Sequence, residues 1–181
     1  MADVEIFEQE VIEFVNEIVP ANWNVLSMSE EPKSFPAALN IYLWFPGGIE
    51  ELEECGDTPM GEAEPIRYYN CMPGSKGMTI GITTIRVYPI AVILGWAATI
   101  IHELAHIAVA RWESCKAGKS LRDKSGPYSG IINQEPAHGG TFQRAYRTII
   151  HRAERVYGTT PYINLCKSDL EGYKERQGGT P

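Results

Sequence analysis

The chain has one long apolar run, from Ile90 to Ala110, and three ionisable side chains interrupt it: His102, Glu103 and His106. A run of this length is about what a membrane-spanning helix needs. The interrupting groups make a span costly, since a charged side chain at the centre of a bilayer costs about 3 kcal/mol or more. No second run of this kind exists in the sequence. We therefore predict a helix at 91–112 that is buried in the core of a globular domain and does not enter a membrane.

The sequence from His102 to His106, HELAH, has the form HExxH. On a helix the two imidazoles lie one turn apart on the same face, where they can bind one Zn²⁺, and Glu103 lies beside them as a general base. The alternative is a helix that carries two histidines by chance, with Glu103 exposed to solvent. Burying these groups without partners is costly, and a bound metal removes that cost. The motif therefore predicts a zinc site with His102 and His106 as ligands and Glu103 as the catalytic residue.

A catalytic zinc ion usually takes three protein ligands and leaves one position for water. Of the two other histidines, His138 opens a predicted helix in the phrase HGGTF, whereas His151 lies among arginines and is expected to be solvated. We favour His138 as the third ligand. The alternatives are an acidic residue, Glu135 or Glu154, or a site without a third ligand. His138 and Glu154 cannot share a metal on one continuous helix, because 16 residues at about 1.5 Å each span about 24 Å.

Hydrophobic periodicity predicts an α+β fold. The predicted strands are 22–28, 37–45, 66–70 and 78–87. The predicted helices are 4–19, 91–112 and 142–156. We expect a small, mostly antiparallel sheet packed on the motif helix, followed by a second helix that carries the third ligand at its start.

A chain of 181 residues is long enough for one core but not for two comfortable ones. We predict a single domain over residues 1–157, which includes an acidic loop at 47–64 and a long polar loop at 113–137. Residues 158–181 are polar and are expected to form an extension or a loosely docked tail.

The net charge of −7 is distributed unevenly. Seven acidic residues and no basic ones lie between Glu50 and Glu64, whereas Arg111 to Arg155 contains nine basic and four acidic residues. An acidic chain argues against nonspecific nucleic-acid binding as the main function, although the basic region 111–155 leaves a local nucleic-acid contact open. Either the acidic loop or the C-terminal extension could also cover the site and inhibit it.

The cysteines indicate a reducing compartment. The four residues form no CxxC pair and do not suggest a disulfide framework: Cys55, Cys71, Cys115 and Cys166. The first ten residues are acidic and lack the apolar segment of a signal peptide. We therefore expect a cytoplasmic protein, located in the host cytoplasm if the chain is viral.

The HELAH sequence at 102–106, followed by the HGxxF phrase at 138–142, resembles the SprT-like zinc metallopeptidases. The segment TIRVYP at 84–89 is similar to the edge strand that leads into the active-site helix of that family. The resemblance covers roughly 78–157, less than half of the chain. No Cys-rich zinc ribbon follows, so the chain resembles a minimal stand-alone member. The resemblance implies a zincin-type active-site helix and one Zn²⁺, with these site residues: His102, His106 and His138 as zinc ligands and Glu103 as the catalytic glutamate.

The expected activity is hydrolysis of peptide bonds in a protein or peptide substrate by a metal-activated water. A strand ending near Tyr88 would align an extended substrate, and Tyr128, Tyr146 or Tyr157 would stabilise the oxyanion. The main alternative is a metal-stabilised binding or inhibitory protein with a non-catalytic zinc site. Less favoured are a nucleic-acid-associated protein and a hydrolase of non-peptide bonds.

Overall fold

The computed structural model describes residues 2–33, 39–45, 60–70, 79–88, 95–116, 128–129 and 138–178. In chain order the elements are α1 (Ala2–Ile18), β1 (Trp23–Ser27), β2 (Leu39–Trp44), β3 (Gly61–Ala63), β4 (Arg67–Asn70), β5 (Thr79–Val87), α2 (Trp96–Lys116), β6 (Tyr128–Ser129), α3 (Gly140–Tyr157) and α4 (Pro161–Gly178). The predicted α+β class is confirmed. None of the described helices is both long enough and apolar enough to cross a membrane.

The sheet is mixed, whereas a mostly antiparallel one was expected. β1 pairs with β2 and β2 with β5, both in parallel, and these are the two longest registers. β3 and β4 pair antiparallel with the other side of β5, and β6 extends the sheet beyond β4. The alternation of apolar residues along a strand specifies which face is buried but not the direction of the neighbouring strand. The sequence pattern could therefore locate strands but could not specify whether neighbouring strands run parallel or antiparallel.

The strand that precedes the motif helix is not an edge strand. β5 is paired on both sides, so the expectation that it would lie at the edge of the sheet is wrong. Among the described strands, β3 pairs only with β5, and its other side is the free edge next to α2. β3 lies inside the segment predicted as an acidic loop at 47–64. The sequence did not indicate this strand, because it is only three residues long and two of them are glycine and alanine, which are uncommon in strands. Likewise, β6 lies inside the predicted loop at 113–137, and residues 113–116 of that loop belong to α2. Apart from both strands, these residues, Met60 and Glu64, the two predicted loops lie outside the described residues.

The motif helix begins later than the periodicity predicts. α2 starts at Trp96, directly after Gly95, whose φ of 133° is incompatible with a helix. Residues 91–94, which the predicted helix includes, lie outside the described residues. α2 contacts β3 and β5 of the sheet and also α3 and α4, so it is the central element of the core. Its fully buried side chains include Ile100, Ile101 and Leu104.

The C-terminal segment is a packed helix, which corrects the expectation of an extension or loose tail. α4 buries Ile163, Cys166 and Leu170, and the Cys166 Sγ lies 4.0 Å from the carbonyl oxygen of Ala98 in α2. These three apolar residues at spacings of three and four form a narrow stripe among polar neighbours, so the helical signal is weak. The packed part of the chain therefore continues through α4, past the predicted boundary at 157.

Candidate metal centre

Two histidines of the motif face each other across one turn of α2. The His102 and His106 Nε2 atoms lie 3.2 Å apart, and both side chains are half-buried. Tetrahedral zinc with Zn–N bonds of about 2.0–2.1 Å requires its nitrogen ligands to be about 3.3 Å apart. The helical spacing of the two residues therefore produces the separation that one zinc ion needs.

The third histidine comes from a different helix. His138 precedes Gly139, the N-cap of α3, and its Nε2 atom lies 3.2 Å from that of His102. The Gln143 side chain holds the start of this helix in place by donating from Nε2 to the His138 carbonyl oxygen at 3.1 Å. The ligand atoms of the three histidines all lie within 4.8 Å of one another. The structure thus brings together the three predicted ligands as one group that can hold a metal ion.

The imidazoles are in the protonation state that a metal requires. Burial, and to a lesser extent the neighbouring histidines, lowers the pKa of His102 to about 3 and that of His106 to about 4. Burial and then the Arg176 charge also lower the pKa of His138. At neutral pH His102 and His106 are therefore uncharged, and each neutral ring has a nitrogen lone pair available for coordination.

Phe142 forms the floor beneath the three rings. Its side chain is 1% exposed, and its ring centroid lies 5.0 Å from that of His102, 4.4 Å from His106 and 4.8 Å from His138. Phe142 lies in the first turn of α3, just after the turn that carries His138, so the two side chains are close in the chain as well as in space. The phenylalanine of the HGxxF phrase thus has a physical role, since its ring restricts the orientations of all three imidazoles.

Tyr173 of α4 contacts two of the histidines, and the sequence analysis did not include it. Its hydroxyl oxygen lies 3.5 Å from His102 Nδ1, and its ring stacks on His138 with a centroid distance of 4.5 Å. When Nε2 of a neutral histidine faces a metal, the proton is on Nδ1, so His102 Nδ1 donates to the tyrosine hydroxyl. The only signal in the sequence was the weak helical stripe of α4, which does not reveal what that helix packs against.

Glu103 lies in the same cleft but is not one of the three grouped donors. Its side chain is 7% exposed, and the backbone N–H of Ala63 in β3 donates a hydrogen bond to its carboxylate. Burial raises the pKa of Glu103 to about 7; the hydrogen bond from Ala63 opposes the shift, and the nearby Glu62 charge adds to it. A carboxyl group with a pKa near neutrality both accepts and releases a proton readily, as a general base requires.

A glycine allows β3 to approach α2 this closely. A Cβ atom at Gly61 would lie 2.5 Å from Thr99 Cγ2 and 3.3 Å from Glu103 Cγ. Any side chain at this position would therefore push the strand away from the helix. The close approach in turn brings the Ala63 N–H within hydrogen-bonding distance of Glu103.

A cleft of about 300 Å³ lies between β3, α2 and α4, next to the histidine group. His102, Glu103 and His138 line one part of it, and α4 provides another wall through Tyr173 and neighbouring side chains. The cleft is open to solvent, so a ligand can reach both the metal-binding nitrogens and the carboxylate.

The structure places the other candidate ligands elsewhere. Glu154 is paired with Lys167 and also accepts a hydrogen bond from Thr159, and it does not belong to the histidine group. His151 is exposed, as expected. Glu135 lies outside the described residues.

Neither Tyr146 nor Tyr157, two of the three tyrosines named from the sequence, is placed to stabilise an oxyanion. The Tyr157 hydroxyl donates to Glu17 of α1 and its ring stacks on Phe14, so it belongs to a different part of the core. Tyr146 is fully buried behind His102. The side chain of Tyr128 lies outside the described residues.

Comparison of the chain with family models, with curated proteins and with solved structures returns no match. The chemistry of this site is therefore inferred from its own geometry.

Proposed function

We propose that this protein is a zinc-dependent metallopeptidase with a zincin-type active-site helix, similar to the SprT-like enzymes. One observation carries the proposal: the Nε2 atoms of His106 and His138 each lie 3.2 Å from that of His102, and this group adjoins a cleft that also contains a buried glutamate outside the group. A histidine cluster alone supports only metal binding. The separate carboxylate with a pKa of about 7 supports hydrolysis.

The three histidines would hold one Zn²⁺ through Nε2, in line with the preference of zinc for imidazole nitrogen. Bound zinc supplies Lewis acidity, which polarises a carbonyl group and makes water a nucleophile near neutral pH. Glu103 takes a proton from the attacking water and delivers it to the nitrogen of the departing amine as the amide C–N bond breaks. The Ala63 N–H keeps the carboxylate oriented towards the cleft through both transfers.

A catalytic site is favoured over a structural zinc clasp by the number of donors. Structural zinc sites are closed by four protein ligands, whereas catalytic sites use three and leave one position open. Among the described residues the grouped donors are His102, His106 and His138 alone, and the cleft reaches His102 and His138. A structural zinc site would not need an open coordination position that faces a cleft.

A peptide is favoured over other substrates by the edge of β3. The Met60 carbonyl accepts from the Tyr88 N–H and the Glu64 N–H donates to the Thr84 carbonyl, so these alternate residues face β5. The backbone groups of Gly61 and Ala63 face the opposite way, towards α2 and the cleft. The Ala63 N–H donates to Glu103, so an extended peptide would pair with the Gly61 backbone groups and the Ala63 carbonyl of this edge and lie beside the histidines.

The decisive experiment is digestion of a mixed peptide library by zinc-loaded protein, compared with the Glu103→Gln variant. We expect cleavage by the wild type and a loss of at least about 100-fold in the variant, since general-base catalysis contributes about 10²–10⁴. Glu10→Gln makes the same chemical change at an exposed position of α1 and should cleave normally. Equal cleavage by wild type and Glu103→Gln would refute the role of Glu103. Absence of cleavage in both, with one zinc retained, would favour the metal-stabilised binding protein.

A further inference from the structure

Three side chains of α4 line the cleft in a row. Leu165, Asp169 and Tyr173 are spaced four residues apart, so they lie on one face of the helix, and all three border the cleft. Tyr173 contacts the histidines, and the other two continue the row along the cleft. α4 therefore forms a wall that extends from the metal site to a carboxylate and then to an apolar side chain.

The cleft has exposed apolar walls. Met60 beside β3 is 44% exposed and Leu165 of α4 is 46% exposed, and both line the cleft together with Ala98. Large apolar side chains that remain exposed at a concave surface are characteristic of sites that a ligand covers. The cleft thus offers an apolar lining that the described chain itself does not cover.

Asp169 has no ionic partner of its own in the described part of the chain. It makes no ion pair or hydrogen bond there, and the Arg176 charge acts on it only from a distance. The Arg176 guanidinium instead lies over the Tyr173 ring, 4.9 Å from its centroid, and donates to the Gly172 carbonyl. Burial raises the pKa of the Asp169 carboxyl group, because the cleft removes part of its water. A cation at this point would restore the lost stabilisation.

A second polar group of the cleft also lacks a partner. Thr99 of α2 is 5% exposed, and its hydroxyl has no hydrogen-bond partner among the described residues. A buried hydroxyl without a partner costs free energy unless a ligand or water satisfies it. Its presence in the lining is independent of the charge of Asp169 and also indicates a ligand site.

We propose that the cleft binds a lysine or arginine side chain of the substrate next to the scissile bond. The aliphatic stem runs past Tyr173, which contacts the histidines, and the charged end pairs with Asp169, one helical turn further along the wall. Leu165 lies one turn beyond Asp169 and, with Met60, provides an apolar surface for a neighbouring part of the substrate. A long basic side chain fits because its apolar stem can span the turn that separates the metal site from the carboxylate. This inference rests on the proposed peptidase function and adds the substrate class.

The first test compares peptides that differ only by lysine or norleucine at each position flanking the scissile bond. Norleucine keeps the stem and lacks the ammonium group. At one flanking position we expect kcat/KM to be about tenfold higher for lysine, as for a partly desolvated charge pair. Asp169→Asn should abolish the preference, while Glu175→Gln, an equal charge change at an exposed position of the same helix, should keep it. No preference at any position, or one that survives Asp169→Asn, would overturn the proposal.

The second test does not depend on cleavage. Zinc-loaded Glu103→Gln protein is titrated with Nα-acetyl-lysyl hydroxamate and with Nα-acetyl-norleucyl hydroxamate, whose hydroxamate groups bind zinc alike. Tighter binding of the lysyl compound, lost in the additional Asp169→Asn variant, supports the basic site even if the wild type cleaves no peptide. Equal affinities overturn it even if the wild type is a peptidase. Cleavage assays therefore test the peptidase proposal, and the hydroxamate affinities test the basic-side-chain proposal separately.

Discussion

The Tyr173 ring stacks on the His138 imidazole, with centroids 4.5 Å apart and ring planes inclined by 17°. The same side chain reaches His102 through its hydroxyl, so one residue of α4 supports ligands that come from both α2 and α3. The helix that the sequence suggested was a peripheral tail therefore belongs to the metal centre. Its contribution can be measured separately from catalysis.

Substitution at Tyr173 is expected to weaken zinc binding in two steps. Tyr173→Phe keeps the stacking and removes the hydroxyl that accepts from His102 Nδ1, which should reduce zinc affinity by up to about tenfold. Tyr173→Ala removes both contacts and should reduce affinity by about 10–100-fold. Competition with a chelating dye measures the affinities. Tyr162→Phe is the control, since Tyr162 is on the same helix but packs against Phe14. Unchanged affinity in Tyr173→Ala would remove Tyr173 from the site.

Gly61→Ala is expected to destabilise the protein by about 1–3 kcal/mol, the usual cost of an overpacked contact. The new Cβ would lie 2.5 Å from Thr99 Cγ2, and a β-branched side chain on a helix cannot easily rotate away. Thr99→Ser removes that methyl group and should restore most of the lost stability when combined with Gly61→Ala. Urea denaturation measures the three variants. Gly172→Ala, whose Cβ would meet only the end of Arg176, should not be destabilising. Failure of the double variant to recover would show that the clash is elsewhere.

Cys166 is expected to resist alkylation in the folded protein. Burial raises its thiol pKa from 9.0 to about 11, which lowers the reactive thiolate fraction by about 100-fold at pH 8, and the side chain is 0% exposed. Mass spectrometry of the Cys166 peptide after iodoacetamide treatment, with and without denaturant, measures the protection. Leu170→Ala should reduce it by loosening the contact of α4 with the core. Alkylation of native wild type at the denatured rate would mean that α4 is not docked.

The metal-free protein is expected to lose stability as the pH falls. The pKa values of His102 and His106 in the folded chain, about 3 and about 4, lie below the 6.5 of the unfolded chain. Between these values the unfolded chain binds protons at two histidines that the folded chain does not, so these histidines remove stability as the pH falls below about 6.5. Glu103, whose pKa of about 7 in the folded chain exceeds its ordinary 4.5, opposes this trend with one group, so the net stability follows the two histidines and decreases. Denaturation in the presence of a chelator at about pH 7.5 and about pH 5 measures the difference. His106→Gln should reduce the slope, and a stability independent of pH in this window would contradict the burial of the imidazoles.

The motif and its helix could be predicted because their signals are local. The HExxH motif on a helix places its two histidines one turn apart, and the structure has His102 and His106 at that spacing. His138 was found by counting the remaining histidines and by the HGxxF phrase, and its Nε2 joins the other two. Four strands were located by their apolar residues, whereas β3 and β6 were missed because they are three and two residues long.

The sequence by itself determined all the described helices but α4 and all the described strands but β3 and β6, and which three imidazoles and one carboxylate have the chemistry of a metal site. Periodicity and spacing carry this information because they depend only on the backbone repeat of each element. The tertiary structure alone decided that β5 is interior, that β3 holds Glu103, and that α4 places Asp169 and Tyr173 in the cleft. These relationships join residues far apart in the chain, and they depend on which faces pack together once the whole core is formed. No local repeat encodes that choice.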